Sequence, residues 1–508
     1  MYQRNYMKVF ICLLTIYLPL LIAAQNITYS EVDRKDSRDI SFEIIGKMNG
    51  NFMIYKNISW RHKLTIYDSD MKIKSNINLD FIPDKTFNVD FIVYPDFFYM
   101  IYQHQRKGIL YCMAAKMDAA GNTIGEPLQL DTTQIGFFSD NKIYSTVFSE
   151  NKQKILIYKI QKKNDRLNIV TLLFDNNLTL MNKSRIGMDY DSRRDVLGEM
   201  MVDNDGVTVF TYGQKPGNRD YIDRLDLVTK QPLQDKFAYS AIDLEKNYID
   251  VAELKIDNLN KRYIINSFYY AEKRGNIQGL FACLWDKTTD TRASYGFIPF
   301  SDSLRDAAKK DGSSRFAFND FLIRQVIVKK DGGYLLTAED FSSQSRGNNS
   351  WSRYDYLYSP YFSQYDYYWN RNYYNSFYRP YNSFGSGNQS TRYFYDNILV
   401  ISVDKNSKLN WHHVIQKEQF DDDNDNFLSF NTMNAGGEIH FLFNDDRKNQ
   451  LIADHSILPD GSVKRNPILK SQEKGYQFMS RHLKQVGARQ LLIPCNYRGW
   501  ICFAKIDY

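Results

Sequence analysis

A short motif recurs along most of the chain: an apolar strand that ends in aspartate, then a tight polar turn, then a second strand. The aspartates that mark it are Asp68, Asp118, Asp175, Asp226, Asp286, Asp404, Asp460 and Asp507. Successive markers are 47 to 60 residues apart, except for one gap of 118 residues. A period near 50 residues that carries four strands is typical of a β-propeller blade. The repeat therefore predicts an all-β propeller, with the marker aspartate accepting backbone hydrogen bonds in the turn between the third and fourth strands.

The number of markers predicts a single propeller of eight four-stranded blades, with seven blades as the alternative. The abundance of strand-forming residues, 38 tyrosines and 33 phenylalanines, agrees with an all-β fold. The last unit ends one residue after Asp507 and lacks a fourth strand, which would leave a bare sheet edge. Residues 26–32 precede the first strand of the first unit. We therefore predict that this N-terminal segment pairs with the C-terminal blade and closes the ring.

The first 25 residues have the pattern of a signal peptide. Arg4 and Lys8 precede an apolar run over 9–23, and small residues follow at Ala23 and Ala24. The run is shorter than the roughly 20 residues that span a bilayer as a helix. We expect removal of residues 1–25, no transmembrane segment thereafter, a propeller domain over 26–508, and a periplasmic, outer-surface or extracellular location.

The net charge and the cysteines bear on two questions: whether the partner is a nucleic acid, and whether the chain contains a disulfide. Without residues 1–25 the chain has 63 basic and 59 acidic residues, a net charge of +4, which does not indicate a nucleic-acid partner. Cys495 and Cys502 flank a predicted hairpin turn and are candidates for a disulfide. The other interpretation is that these two, with Cys112 and Cys283, are small buried apolar residues.

An aromatic-rich insertion at about 343–395 explains the long gap between markers. Residues 351–395 contain 13 tyrosines, four phenylalanines and two tryptophans without strand or helix periodicity, which predicts a long loop. Exposed aromatic rings among Asn, Asp and Arg are typical of a recognition surface, although a solvated loop without a ligand has the same pattern. The candidate binding residues here are Tyr361, Tyr365, Tyr367, Tyr368, Trp369, Tyr373 and Tyr374.

Two acidic loops are predicted to share a face with this insertion. In a propeller, the connections from second to third strand and from one blade to the next emerge on one face. The insertion falls in the first kind of connection in the sixth unit. The further candidate binding residues are Asp421, Asp423 and Asp425 in the link to the seventh unit, and Asp445 and Asp446 in its second-to-third turn. Asp421, Asp423 and Asp425 also have alternating calcium-loop spacing, but Asn426 and Thr432 occupy the expected glycine and glutamate positions.

Motifs for catalysis or cofactor binding do not appear in the sequence. No serine elbow, zinc-binding helix or phosphate-binding glycine loop is present, so we expect no cofactor and no metal. The pair His412-His413 lies in a predicted strand, where successive side chains point to opposite faces and do not readily share one ion.

The segments 403–417 and 457–463 resemble uncharacterised secreted proteins of the Bacteroidota, and the signal peptide and the Asn, Lys, Asp and Tyr bias are similar too. The resemblance implies a periplasmic or surface location and transfers no catalytic residue. We expect a secreted, non-enzymatic binding or scaffolding propeller whose partner is an envelope or extracellular protein or glycan. The alternatives are a propeller hydrolase or lyase that acts on glycans, and a purely structural envelope protein.

Overall fold

The strands form eight antiparallel sheets, which are the eight blades of a β-propeller. The eight-bladed prediction is therefore confirmed over the seven-bladed alternative. The computed structural model describes residues 26–36, 40–135, 143–217, 221–273, 275–309, 313–345, 350–351, 391–422, 425–445, 447–471 and 475–508. The predicted signal peptide lies outside these residues. Among the described residues, no helix is long and apolar enough to cross a membrane.

Each blade runs from an innermost strand beside the central axis to an outermost strand. Two strands precede blade 1: β1 (Asn26–Tyr29) and β2 (Asp33–Asp36). Blades 1 and 2 contain β3 (Ile40–Met48), β4 (Asn51–Ile58), β5 (Arg61–Tyr67), β6 (Ile73–Asn78), and β7 (Thr86–Val93), β8 (Phe97–Arg106), β9 (Ile109–Asp118), β10 (Leu128–Gln134). Blades 3 and 4 contain β11 (Tyr144–Phe148), β12 (Lys154–Lys163), β13 (Arg166–Asp175), β14 (Leu180–Asp189), and β15 (Asp195–Leu197) with β16 (Met201–Val202), β17 (Thr208–Gln214), β18 (Arg224–Lys230), β19 (Ala238–Ile242).

The second half of the ring follows the same order. Blades 5 and 6 contain β20 (Tyr248–Ile249) with β21 (Glu253–Asp257), β22 (Arg262–Tyr270), β23 (Gly279–Asp286), β24 (Thr291–Pro299), and β25 (Phe321–Val328), β26 (Tyr334–Ser345), β27 (Ser350–Trp351), β28 (Thr391–Val403), β29 (Leu409–Asp422). Blades 7 and 8 contain β30 (Phe430–Ala435), β31 (Glu438–Asn444), β32 (Leu451–Ile457), β33 (Val463–Arg465) with β34 (Leu469–Lys470), and β35 (Tyr476–Phe478) with β36 (Lys484–Gly487), β37 (Gln490–Tyr497), β38 (Trp500–Asp507). Helix α1 (Asp302–Ala308) and a 3-10 turn (Ser314–Phe316) link blades 5 and 6, and a second 3-10 turn (Ser480–His482) lies between β35 and β36.

The N-terminal segment supplies the outermost strand of blade 8, as predicted. Strand β1 pairs with β38 from Asn26 opposite Asp507 to Tyr29 opposite Ala504, and β2 continues along the same strand. An ion pair joins this strand to blade 1, since Lys56 Nζ lies 2.6 Å from Asp33 Oδ2 and the Lys56 side chain is only 2% exposed. The closure therefore consists of a backbone ladder and a buried charge contact.

The marker aspartates have the predicted structural role in most blades. The Oδ1 atoms of Asp68, Asp118, Asp175 and Asp404 each accept hydrogen bonds from the backbone N–H groups two and four residues on. Asp226 was wrongly assigned, because it lies inside β18 opposite Tyr212, whereas the turn of blade 4 follows Lys230. In blade 4 the same carboxylate geometry occurs instead at Asp203, between the first and second strands.

The hydrophobic core lies between neighbouring blades. One cluster joins residues such as Met53 and Tyr55 of blade 1 to Phe98 and Met100 of blade 2. Another joins blade 8 to blade 1 through contacts that include Phe503 and Phe42, whose ring centres are 5.0 Å apart. Strands buried on both sides in this way account for the apolar runs of the sequence.

The order of the strands gives the ring two different faces. Connections from second to third strand and from blade to blade emerge on one of them, which we call the insertion face, because the chain between β26 and β28 leaves there. The link after β29 and the turn after β31 emerge on the same face, as predicted for the acidic loops. The remaining turns define the opposite face.

Candidate functional site

The second, third and fourth strands of blade 6 are longer than those of the other blades. Strands β26, β28 and β29 have 12, 13 and 14 residues, whereas β4, β5 and β6 of blade 1 have eight, seven and six. The added length lies at the insertion face, where Gln344 pairs with Arg392 and Arg392 pairs with Asp422. We call residues 341–345, 391–396 and 418–422 the blade-6 extension. The strands thus continue into both ends of the predicted insertion.

A pair of irregularities separates the blade-6 extension from the rest of the blade. The register between β26 and β28 shifts between Glu339 and Phe341, and the register between β28 and β29 shifts between Asp396 and Ile398. Bulges increase local twist and change the direction of side chains. Here the two bulges lie side by side across β28. Side chains next to them therefore do not follow the regular alternation between the two faces of the sheet.

Glu339 lies next to the first of these bulges and has no exposed side-chain surface. Its Oε2 accepts hydrogen bonds from Arg324 Nε at 3.0 Å and Ser429 Oγ at 2.7 Å. Its Oε1 lies 2.9 Å from Lys417 Nζ, whose side chain is 1% exposed. Burial lowers the pKa of Lys417, and the adjacent Glu339 carboxylate opposes that effect. The contact joins the outermost and innermost strands of blade 6 to the first residues of blade 7.

A second charged contact lies beside the first and reaches blade 8. Tyr395 donates a hydrogen bond of 2.9 Å to Asp425 Oδ2, and Arg481 contacts the same carboxylate oxygen. Arg481 Nη1 also donates to the Tyr395 hydroxyl at 2.9 Å. Burial opposes the charge of Arg481, but the Asp425 carboxylate holds the pKa of the guanidinium above its usual value. Burial raises the pKa of Tyr395.

The two contacts lie next to each other on the insertion-face side of blades 6 to 8. Arg324 lies on the innermost strand of blade 6, Asp425 in the link into blade 7, and Arg481 in the innermost segment of blade 8. The guanidinium carbons of Arg324 and Arg481 are 5.5 Å and 5.7 Å from the centre of the Tyr395 ring. We call Arg324, Glu339, Tyr395, Lys417, Asp425 and Arg481 the mouth cluster. Each of its carboxylates is paired with a cation, so the cluster is a rigid support.

The outer surface of the blade-6 extension is aromatic and contains arginine. Arg392 donates two hydrogen bonds, of 2.8 Å and 2.9 Å, to the two carboxylate oxygens of Asp422, and both side chains are about half exposed. The rings of Phe394 and Phe420 are 6.3 Å apart. The guanidinium carbons of Arg392 and of Arg447 in blade 7 are 5.0 Å and 5.2 Å from the Phe420 ring. This surface adjoins the insertion.

The predicted binding residues are distributed unevenly over the described chain. Tyr361, Tyr365, Tyr367, Tyr368, Trp369, Tyr373, Tyr374, Asp423 and Asp446 lie outside the described residues. Asp425 is part of the mouth cluster. Asp421 lies on β29 opposite Tyr393, and Asp445 is exposed after β31. The described acidic residues therefore share the insertion face, but Asp425 serves a structural ion pair.

The described residues were compared with the ligand groups that a metal ion requires. Among them, no three His, Cys, Asp or Glu side chains are grouped as a metal site. The carboxylate of Asp425 is bound by Arg481 and Tyr395, and Asp423 is not described, so the calcium hypothesis for Asp421, Asp423 and Asp425 stays a prediction. His412 and His413 face Ile401 and Val400, and burial lowers the pKa of both imidazoles.

The candidate disulfide residues face each other across two strands. Cys495 is directly opposite Cys502, both are fully buried, and both are free thiols in the structure. Burial raises the pKa of the Cys495 thiol, so little thiolate is present at neutral pH. A disulfide at this position stays a prediction.

Most of the mouth cluster was not predicted from the sequence. Arg324, Glu339, Tyr395, Lys417 and Arg481 were not singled out, because an isolated charge in a strand is usually exposed. A detectable signal does exist at Glu339 and Asp340, two adjacent acids that interrupt a stretch over 334–341 in which only Thr337 is otherwise polar. A charge in such a position requires a buried partner.

Comparisons with known proteins show similarity to solved structures alone. No protein-family model and no curated protein matches the chain. A prolyl endopeptidase is 10% identical with a TM-score of 0.42, over 91% of this chain and 55% of that one. Prolyl oligopeptidase B from Galerina marginata is 7% identical with a TM-score of 0.43, over 91% and 56%. The polysaccharide lyase Uly1 is 11% identical with a TM-score of 0.37, over 82% and 89%. The chain thus spans about half the length of the peptidases that it matches, and the similarity transfers no functional residue.

Proposed function

We propose that this propeller is an exported, non-enzymatic binding module that recognises an envelope or extracellular protein or glycan on its insertion face. The observation that carries the proposal is the blade-6 extension. Three strands continue beyond the blade together, and both ends of the aromatic-rich insertion are attached to them. Loops positioned by a rigid scaffold are common binding elements.

The ordered base of the blade-6 extension favours a role in partner binding. The buried contact of Glu339 and the partly buried contact of Asp425 fix the base of the extension to blades 7 and 8. A support that is already ordered loses little conformational entropy when a partner binds. The strand ends from which the insertion leaves are thereby fixed to the ring.

The composition of the described surface also suits recognition. Phe394 and Phe420 offer apolar contact area, and Arg392 and Arg447 lie against the same rings. Aromatic residues and arginine are enriched in protein interfaces and at binding hot spots. Asp421 and Asp445 add acidic groups to this half of the face.

The alternative of a glycan hydrolase or lyase needs an accessible acid or base at the opening. The two carboxylates of the mouth cluster do not supply one, because Glu339 is buried between Arg324 and Lys417, and Asp425 is paired with Arg481. Glu339 and Asp425 therefore give no support to the hydrolase or lyase alternative.

The experiment replaces residues 352–390 by a short Gly-Ser linker and leaves β26, β27 and β28 intact. Intact and loop-replaced proteins are compared in a pull-down from envelope extract and on an array of neutral glycans, with circular dichroism as the control for folding. We expect the loop-replaced protein to fold and to lose its partner. Unchanged partner binding, or glycan degradation by both proteins, would contradict the proposal.

Limited proteolysis tests the purely structural alternative. Cleavage within residues 346–392 is followed with and without envelope extract. Protection by the extract is expected for a binding segment. Equally rapid cleavage in both conditions favours a structural envelope protein.

A further inference from the structure

Four neighbouring blades present short hairpin tips on the insertion face, on the half of the ring away from the blade-6 extension. These are the turns between the second and third strands of blades 8, 1, 2 and 3. Each is a two-residue turn with left-handed backbone, with φ of 53° at Arg498, 51° at Ser59, 50° at Lys107 and 55° at Asn164. Turns of this kind continue the twist of their strands and hold the tip residues in defined positions.

The tips carry a strong positive charge. We call residues 498–500, 59–61, 106–109 and 162–166 the cationic arc. It has seven basic residues and one acidic residue, Asp165, for a net charge of +6: Arg61, Arg106, Lys107, Lys162, Lys163, Arg166 and Arg498. All eight side chains are exposed. Residues 26–508 carry +4 in total, so the arc is more positive than the whole domain and the remainder is negative.

The surroundings of the arc do not neutralise this charge. Among the described ion pairs, one involves the arc: Arg166 Nε lies 3.8 Å from Asp189 Oδ1, with side chains 64% and 96% exposed. The other described charges beside the arc are close to balanced. Strand β2, where Asp36 pairs with Trp500, has two acids and two bases, and the links between blades 1 and 2 and between blades 3 and 4 have Asp80, Asp84, Asp189 and Asp191 against Lys85, Arg193 and Arg194. The arc therefore produces a local positive potential that attracts a polyanion.

Two exposed indole rings belong to the same arc. Trp60 is 54% exposed and Trp500 is 38% exposed, on neighbouring blades. Trp60 has a φ of 69°, a left-handed conformation that a bulky residue rarely adopts and that glycine or asparagine favours in this turn. An exposed ring adds little to the stability of the fold, and the backbone strain lowers it. We therefore take the tryptophan at this position as a sign that its ring contacts a ligand.

We propose that the cationic arc binds an acidic polysaccharide. Its carboxylate or sulfate groups pair with the arginine and lysine side chains, and sugar rings lie on the faces of Trp60 and Trp500. A linear polymer can follow the four tips, and the successive contacts then reinforce one another. A flat anionic membrane fits less well, because the same face would bring Asp421, Asp422 and Asp445 towards the lipid headgroups.

The arc is a site separate from the one in the proposed function. It contains no residue of the insertion or of the mouth cluster. Replacement of residues 352–390 therefore leaves polysaccharide binding intact if the arc is the site, even if the partner of the insertion is lost. Loss of polysaccharide binding in that variant would overturn the assignment to the arc.

Binding is measured by titration calorimetry with polygalacturonate and dextran sulfate, against neutral dextran of similar size. We expect binding to both polyanions, none to dextran, and weaker binding at higher salt concentration. The variant Lys162→Glu/Lys163→Glu should bind about tenfold more weakly or worse. The matched control, Lys405→Glu/Lys408→Glu, makes the same change in net charge at an exposed turn of the opposite face and should retain the affinity.

The substitution Trp60→Gly separates binding from folding. Glycine relieves the left-handed strain, so the thermal midpoint should stay equal or rise, while the affinity for polyanions should fall about threefold or more. An unchanged affinity in this variant, or an equal loss in the control variant, overturns the proposal. So does equally tight binding to single-stranded DNA or to phosphatidylglycerol vesicles, because the arc would then be a general polyanion or membrane site.

Discussion

The substitution Glu339→Gln tests the view that the mouth cluster is held together by a buried charge. In the wild-type protein, Glu339 accepts from Arg324 and Ser429, and Lys417 Nζ lies 2.9 Å away. Glutamine has nearly the same shape but no charge, so the buried Lys417 ammonium loses its counterion. Removal of one member of a buried ion pair destabilises proteins by about 3–5 kcal/mol. We expect a decrease of this size in the free energy of unfolding, measured by urea denaturation with tryptophan fluorescence.

The exposed pair of the same blade provides the control. Arg392 and Asp422 are 46% and 51% exposed, so Asp422→Asn should change the free energy of unfolding by less than about 1 kcal/mol. The double variant Glu339→Gln/Lys417→Met removes both charges and should be less destabilised than the sum of the two single variants, by about 1–3 kcal/mol. If Glu339→Gln destabilises no more than Asp422→Asn, or if the two single effects simply add, the cluster is not a coupled charge contact.

Three further predictions concern the ring closure, a buried histidine and the cysteines. Asp33→Asn leaves the ammonium of Lys56, which is 2% exposed, with the Tyr67 hydroxyl at 2.8 Å as its remaining hydrogen-bond partner among the described side chains. Thermal unfolding should report a loss of about 3 kcal/mol, and a loss below about 1 kcal/mol contradicts this. Burial and the nearby Arg481 lower the pKa of His482 from 6.5 to about 3. As the pH falls below 6.5, this histidine is protonated in the unfolded chain but not in the folded protein, so the free energy of unfolding should drop by about 2 kcal/mol between pH 7 and pH 5. His482→Gln should remove that part of the pH dependence. An unchanged pH profile in the variant refutes the assignment. Cys495 and Cys502 are fully buried, so iodoacetamide should label them after unfolding but not in the native protein, whereas a mass 2 Da lower (two hydrogens) that resists labelling after unfolding would show a disulfide.

Local patterns made the propeller predictable. The turn at Asp118 is specified by residues within four positions of it, and the strands on either side alternate in polarity over similarly short distances. The wrong assignment of Asp226 also arose from a short local pattern. Leu225 and Asp226 match the motif, but the actual turn of blade 4 follows Lys230 and has no aspartate at its first position.

The mouth cluster was not predictable in this way because its members come from distant parts of the chain. Glu339 and Lys417 are 78 residues apart in sequence and meet through a register shift on each of two strand pairs. A one-residue shift changes the face to which a side chain points. Regular alternation along β26 or β29 therefore gives no indication that these two charges face each other.

The closure of the ring has a consequence for how the protein folds. Asn26 pairs with Asp507, so the outermost strand of blade 8 joins its neighbours across a separation of 507 − 26 = 481 residues. The length-dependent part of the entropy lost on closing such a loop corresponds to about 5 kcal/mol. Blade 8 gains this strand only after residue 507 has been synthesised, so this sheet is completed after the strands of blades 1 to 7 have been made. The junction between β1 and β38 is also where we expect the ring to open first on unfolding, and hydrogen exchange at Ile27 and Thr28 should be faster than in the central strands of blades 1 to 5.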